Sequence, residues 1–242
     1  IGIMSIGTLI WKMFGKKIGM RERQLIMIDF NQHSLAGVVL LLKEIVKILF
    51  LIEAMGALIL SVHFTHYVDS WQEAVKHGIF ASISATTNGG FDITGNSLQP
   101  FYQDYFVQFI TMLLIVLGAI GFPVLVELKY FLFERDPSFR FSLFTKITTT
   151  TYGVLFLLGT LGVLLVESFY SFKGSQWHER LFAAMFHSVS TRSAGFTTVD
   201  ITSMNEATDL FLSFLMFVGS SPSSVGGGIR TTTFAIAILF LL

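Results

Sequence analysis

The segment Ser84-Ala-Thr-Thr-Asn-Gly-Gly-Phe-Asp-Ile-Thr-Gly95 has a second copy in Ser190-Thr-Arg-Ser-Ala-Gly-Phe-Thr-Thr-Val-Asp200. Thr86 falls on Thr191 and Gly90-Phe91 on Gly195-Phe196, at a constant separation of 105 residues. Just upstream, residues 71–84 and 177–190 share Trp-x-Glu followed by Phe-x-Ser-Ile/Val-Ser at a separation of 106, and Asp104 and Asp209 restore the 105 spacing where the next helices are expected to open. Self-similarity of this density marks an internal repeat. Each copy predicts a helix, a short helix, a glycine-bearing loop and a further helix.

The short helix is too short for a bilayer. Residues 72–84, at about 1.5 Å each, rise roughly 20 Å against a hydrocarbon core of about 30 Å. The six or seven residues that follow, if extended, climb back about 20 Å. A re-entrant hairpin, entered and left from one side, is the expectation; irregular backbone at that depth is tolerated only inside protein or beside water. The loop cores Thr-x-x-Gly-Gly-Phe and Thr-x-x-Ala-Gly-Phe hold no carboxylate and no histidine, so acid–base and metal chemistry are poorly supplied. Glycine, lacking Cβ, lets successive carbonyls turn to one side, and a ring of carbonyl oxygens can replace the water around a monovalent cation. Asn88, Gly89, Gly90 and Phe91, with Ser193, Ala194, Gly195 and Phe196, are the expected oxygen donors. Thr86 and Thr191 would add hydroxyls or pin the loops.

The composition agrees with a membrane setting. The 242 residues are 13% charged and 52% hydrophobic, with a mean hydropathy of +0.68, where soluble domains are about 25% charged. Lys+Arg and Asp+Glu each number 16, so there is no basic excess for nucleic acid, and the absence of cysteine removes disulfide frameworks and thiolate metal sites. Residues 48–62, 105–126 and 147–166 predict ordinary spans; 210–242 predicts one broken at Gly219-Ser-Ser-Pro-Ser-Ser-Val-Gly-Gly-Gly228. Connectors 12–47 and 129–146 hold seven and four Lys or Arg and are expected in the cytoplasm. Segments 61–104 and 167–209 carry four against nine acids, an external mouth that concentrates cations. Residues 1–11 read as the tail of an apolar helix already under way and 234–242 as an apolar run cut short, so a longer polypeptide is expected and no signal peptide is read.

On SATTNGGFDITG (84–95), STRSAGFTTVD (190–200) and GSSPSSVGGGIRTTTF (219–234), the sequence resembles the Trk/Ktr/HKT superfamily of potassium transporters, most of all its bacterial KtrB-type subunits. The resemblance implies an all-α membrane protein of four helix–pore-loop–helix repeats with re-entrant pore helices, pseudo-fourfold around one pore. This chain would hold about two of them: the last helix of the first repeat (1–14), a cytoplasmic connector (15–34), the second repeat (35–130), a further connector (131–146) and the third repeat (147–242). A potassium-uptake subunit of the cell membrane is implied, not an enzyme, with no covalent cofactor and K+ as cargo. A homodimer in the bilayer is implied too, seated on a cytoplasmic ring of KtrA type that alone would carry nucleotide. A sodium-selective or sodium/potassium member of the same superfamily is the alternative. Two filter segments make half a ring, so these residues alone are not expected to conduct.

The broken last helix is similar to the intramembrane loop that gates Ktr-type pores. Pro222 lacks an amide hydrogen, and Gly226, Gly227 and Gly228 carry a helix penalty of about 1 kcal/mol each. Gly219, Ser220, Ser221, Ser223, Ser224, Val225 and Arg230 are therefore expected in or beside an opened segment, residues 219–229, that obstructs the pore below the filter. The repeat sets Gly226 opposite Gly121, within the milder interruption Gly118-Ala-Ile-Gly-Phe-Pro123. Arg192, standing where the first copy has Thr87, is expected to turn from the cation path toward an acid behind the filter. Glu53, inside a span, is a functional candidate by default. His63, His66 and His77 lie near one another without a placed acidic ligand. From another class, Ser224 with a histidine would suggest an intramembrane hydrolase, but no histidine lies in the spans downstream.

Overall fold

The computed structural model describes residues 19–20, 24, 27, 38–133 and 139–241; the helix tail expected at 1–14, most of the connector at 15–34 and part of that at 131–146 lie outside the described residues. Helices dominate: α1 (Val38–Phe64), α2 (Trp71–Thr86), α3 (Tyr105–Ala119), α4 (Phe122–Phe133), α5 (Leu143–Glu167), α6 (Trp177–Ser190), α7 (Glu206–Phe217) and α8 (Thr231–Leu241), with short 3-10 turns at Gln99–Phe101 and Ile201–Ser203. Leu40–Phe64 of α1 and all of α5 are 25 residues each and apolar enough to cross a bilayer. At 1.5 Å per residue each reaches about 37 Å. α5 opens inside the expected connector because Ser142 caps it, its hydroxyl accepting from Thr145 N at 3.2 Å.

The stretch 105–126 departs from expectation. It is not one ordinary span, since α3 and α4 meet at 107°. Gly121 lies between them at φ +99°, a conformation side chains other than glycine rarely adopt. Pro123 follows in the first turn of α4, where its missing N–H leaves no intrahelical bond unmade.

In both repeats the segment after the short helix returns the chain to the end where the hairpin began. His63, late in α1, and Tyr67, just beyond it, bond the same oxygen of Asp104 at 2.6 and 2.5 Å, and Asp104 is the N-cap of α3. The hairpin between them thus opens and closes at one end of the bundle. α2 descends beside α1 until Thr86 O packs against Gly118, where a Cβ would stand 2.0 Å away. That point is about 20 Å along α3 from Asp104. In the second copy the tie runs the other way: Glu167, ending α5, accepts from Asn205 N at 2.9 Å. Asp209, expected to open α7, lies in its first turn, and Asn205 caps the helix instead by accepting from Ala207 N at 2.8 Å.

Small residues let the short helices approach closely, as membrane helix contacts favour. Ser82 Oγ donates to Glu53 O and Ser188 Oγ to Phe156 O, both at 2.8 Å, with Gly56 and Gly159 making the room. Leu60, Val107, Ile115, Phe186 and Phe196 form a buried cluster where α3 of one repeat meets α6 of the next. A Cβ on Gly78 would stand 2.4 Å from Ser61 N and 2.6 Å from Ser61 Cα, backbone that cannot rotate aside. Gly78→Ala should therefore cost about 1–3 kcal/mol, read as a lowered thermal midpoint of the full-length protein in detergent. Gly153→Ala, with nothing within 4 Å of its Cβ, should hold or raise the midpoint. Equal midpoints for the two variants would contradict the close crossing.

Candidate functional site

The two glycine loops leave their helices by one local device. Thr86 Oγ1 and Thr191 Oγ1 donate back to Ser82 O and His187 O at 2.8 and 2.5 Å, so both threonines pin helix ends. Ser84 Oγ and Ser190 Oγ donate to Phe91 O and Phe196 O at 2.7 and 2.5 Å, folding each loop onto its own helix. The Phe91 and Phe196 carbonyls, expected among the free oxygen donors, are thus engaged within their own hairpins. Between pin and tie, Asn88, Gly90 and Gly195 adopt φ of +52°, +66° and +82°. Glycine takes these angles freely and asparagine at modest cost. Among the described residues, the backbone oxygens of Asn88, Gly89, Gly90, Ser193, Ala194 and Gly195 accept no hydrogen bond.

The loops converge. Leu98 N donates to Thr197 O at 3.0 Å and Thr197 N to Ser97 Oγ at 2.9 Å, joining their outer ends. Deeper, Gly90 packs on the Ala194 carbonyl so closely that a Cβ would stand 2.2 Å from its oxygen.

Residues 219–229 form a loop pinched at its base. Gly219 N donates to Ile229 O at 3.1 Å, Ser220 N to Gly227 O at 2.9 Å and Ile229 N to Phe217 O at 3.1 Å, beside an isolated bridge from Val218 to Ile229. The approach requires glycine, since a Cβ on Gly219 would lie 1.9 Å from Gly227 O. The loop docks on the α3–α4 elbow through three backbone bonds: Ser221 N to Ala119 O at 3.0 Å, Phe122 N to Ser223 O at 2.9 Å and Val225 N to Gly118 O at 3.3 Å. The two interruptions that the repeat set opposite each other are therefore in contact. Pro222 O covers Gly121, while Gly226 faces Ser220 and Ser193. Arg230 holds the loop from inside, Nη1 donating to Gly226 O at 2.6 Å and Ser221 O at 3.4 Å. Ser220, Ser221, Ser223 and Ser224 are all buried. Ser224 Oγ donates to Ser221 O at 2.6 Å, an arrangement that gives a hydrolase no nucleophile–histidine pair among the described residues.

Arg192 corrects an expectation. It meets no acid among the described residues; its guanidinium lies 3.9 Å over the Tyr152 ring and donates to Ser188 O at 3.2 Å and Tyr152 O at 3.3 Å. The Ser188 carbonyl near the C-terminus of α6, the Tyr152 carbonyl of α5 and a π face supply the negative potential that a carboxylate was expected to give. Glu53 is half-buried and forms no ion pair among the described residues. Lys47 and Lys129 share Glu44 at 3.0 and 2.5 Å, tying α4 to the opening of α1.

His63 is committed to Asp104. Burial works against the charge on Asp104, but hydrogen bonds from Tyr67, His63 and Val107 N hold its carboxyl below the usual range; the same bond pushes the Tyr67 hydroxyl up to about 12. A depressed carboxyl contributes stability above its unfolded value, lost as pH falls through the folded one. Asp104→Ala should thus lower the thermal midpoint at neutral pH, at a cost of about 2 kcal/mol from the cap and the charged hydrogen bonds. The gap from wild type should close below about pH 4; a gap independent of pH would contradict this role.

Reading for oxygens and glycines missed the elbow seat and the paired serines, 84/190 tying each loop to its own helix and 82/188 tying each short helix to the long helix beside it. The signal was present for the serines, since the motif shared by both copies contains them.

A family model described as TrkH, a cation transport protein, matches residues 1–242. The chain is 57% identical over 241 residues to the Ktr system potassium uptake protein D of Bacillus subtilis (strain 168), covering 100% of this chain and 54% of that protein. It is 34% identical over 247 residues to the Ktr system potassium uptake protein B of the same organism, covering 98% and 53%. The crystal structure of the potassium transporter TrkH from Vibrio parahaemolyticus aligns with a TM-score of 0.59 at 21% identity, over 99% of this chain and 44% of that one, a likeness of fold. The chain spans about half the length of the curated relatives it matches.

Proposed function

The chain belongs to the TrkH family of cation transport proteins, multi-pass helical proteins of the cell membrane, and from that premise we propose that it forms about half of a potassium-uptake pore. Its loops at 88–91 and 193–196 are two of four filter segments, carried into the bilayer on re-entrant helices, and residues 219–229 are the gate beneath them. An entering ion must surrender water, and the backbone oxygens of Asn88, Gly89, Gly90, Ser193, Ala194 and Gly195 replace it. That set of oxygens without hydrogen bonds, on two loops paired at Gly90 and Ala194, is the observation that carries the reading. The printed names of the relatives support potassium as the cargo.

Passage down an electrochemical gradient makes and breaks no covalent bond, so the protein needs neither a catalytic residue nor a covalent cofactor. Resemblance to Ktr systems supports a homodimer on a cytoplasmic KtrA-type ring, with nucleotide held by that ring; the ends of α1 and α4 that meet at Glu44 are the surface nearest to it. The test is rubidium uptake by the full-length protein in potassium-starved cells. Saturable uptake resistant to excess sodium is expected. No uptake, or sodium carried in preference, contradicts the assignment.

A further inference from the structure

We propose that the position of the 219–229 loop is felt inside the filter through one line of hydroxyls, with Ser220 as a positioning residue for ion selectivity. The inference rests on the pore reading above and adds a coupling to it. Ser220, fully buried in the neck of the loop, donates to Ser193 Oγ at 2.9 Å. Ser193 in turn donates to Asn88 Oδ1 at 3.2 Å. Ser193 and Asn88 belong to different filter segments, so the line begins on the loop and crosses from one segment to the other.

The surroundings leave little else to set this geometry. A Cβ on Gly226 would stand 1.9 Å from Ser220 Oγ and 2.9 Å from Ser193 Cβ, so no side chain separates loop from filter. Asn88 holds a left-handed φ of +52°, and its buried Nδ2 has no hydrogen-bond partner, which leaves the Ser193 hydroxyl to orient the amide. Gly118, whose own carbonyl accepts from Val225 N, packs against that amide without bonding it. A hydrogen-bonded pair fixes its heavy atoms about 3 Å apart. When the loop departs, Ser193 loses its donor and the spacing of residues 88 and 193 relaxes. Discrimination among ions depends on the number and spacing of such ligands, so loop position sets selectivity as well as flow.

The test uses the full-length protein in liposomes, with rubidium and sodium uptake measured separately. Ser220→Ala and Ser193→Ala should each lower the rubidium-to-sodium ratio about three- to tenfold, the worth of one lost hydrogen bond. The double variant should fall no further than either single one, because both cut the same line. Ser193→Thr, which keeps the hydroxyl, should retain the ratio. Ser82→Ala, which removes a buried hydroxyl of α2 that bonds Glu53 O, should retain it too while lowering the thermal midpoint. Falls that multiply in the double variant, or unchanged ratios in both single variants, overturn the coupling. A wild type that carries no rubidium overturns the pore reading itself, which separates the two failures.

Discussion

Gly90→Ser in the full-length protein should cut rubidium uptake by at least about tenfold, and Gly195→Ser should cut it less, with selectivity over sodium falling in both. Both glycines hold left-handed backbone, at φ +66° and +82°, and a side chain there costs about 1–2 kcal/mol, enough to populate other conformations of the loop. The surroundings separate them. A Cβ on Gly90 would stand 2.2 Å from Ala194 O, a backbone atom of the other loop, whereas a Cβ on Gly195 would meet only Gly90 Cα at 3.9 Å. Serine at 90 must therefore push the two segments apart and displace the Ala194 carbonyl, whereas serine at 195 only strains its own loop. Uptake in potassium-starved cells, normalised to protein in the membrane, decides the matter. Equal losses, or the reverse order, would contradict the pairing of the loops.

Deleting residues 223–228 should raise flux and loosen regulation. The loop is held on the elbow by three backbone bonds, and Arg230 and Ser220 tie it further. At about 1 kcal/mol for each backbone bond, the seat alone is worth about 3 kcal/mol, so emptying it should increase uptake about tenfold or more if the loop obstructs the path. Gly121→Ala gives a gentler version. Its Cβ would stand 2.6 Å from Pro222 O at a φ of +99°, pressing the loop from its seat, and flux should rise in the same direction. Unchanged uptake in both variants, with protein still monodisperse in detergent, would make 219–229 a packed kink and no gate.

What the sequence disclosed, and what it withheld, follows from which forces are local. The repeat was legible because the chemistry of a tight loop demands the same residue types twice: threonine to close the helix, glycine for a left-handed turn, serine to tie the loop back. The break at 219–228 was legible because proline and consecutive glycines oppose a helix wherever they stand. The bend between Ala119 and Phe122 was read only as a milder interruption. Hydropathy runs unbroken through it, and the bonds that seat it come from Ser221, Ser223 and Val225, about a hundred residues away. Arg192 was expected to turn from the cation path and find an acid behind the filter. Main-chain oxygens and a tyrosine ring serve as well and leave no mark in the sequence. The shift of the cap from Asp209 to Asn205 is of the same kind, decided by Glu167 reaching Asn205 N across 38 positions.

The central claim is that peptide oxygens of two matched loops take the place of water around a potassium ion. Its most direct test is a structure of the full-length protein determined in rubidium and again in sodium, using the anomalous signal of rubidium to find the ion. The account predicts a rubidium peak between the backbone oxygens of residues 88–90 and 193–195, absent or displaced in sodium. A rubidium peak elsewhere with none between these loops, or a chain in which residues 72–92 cross the bilayer completely, would contradict it.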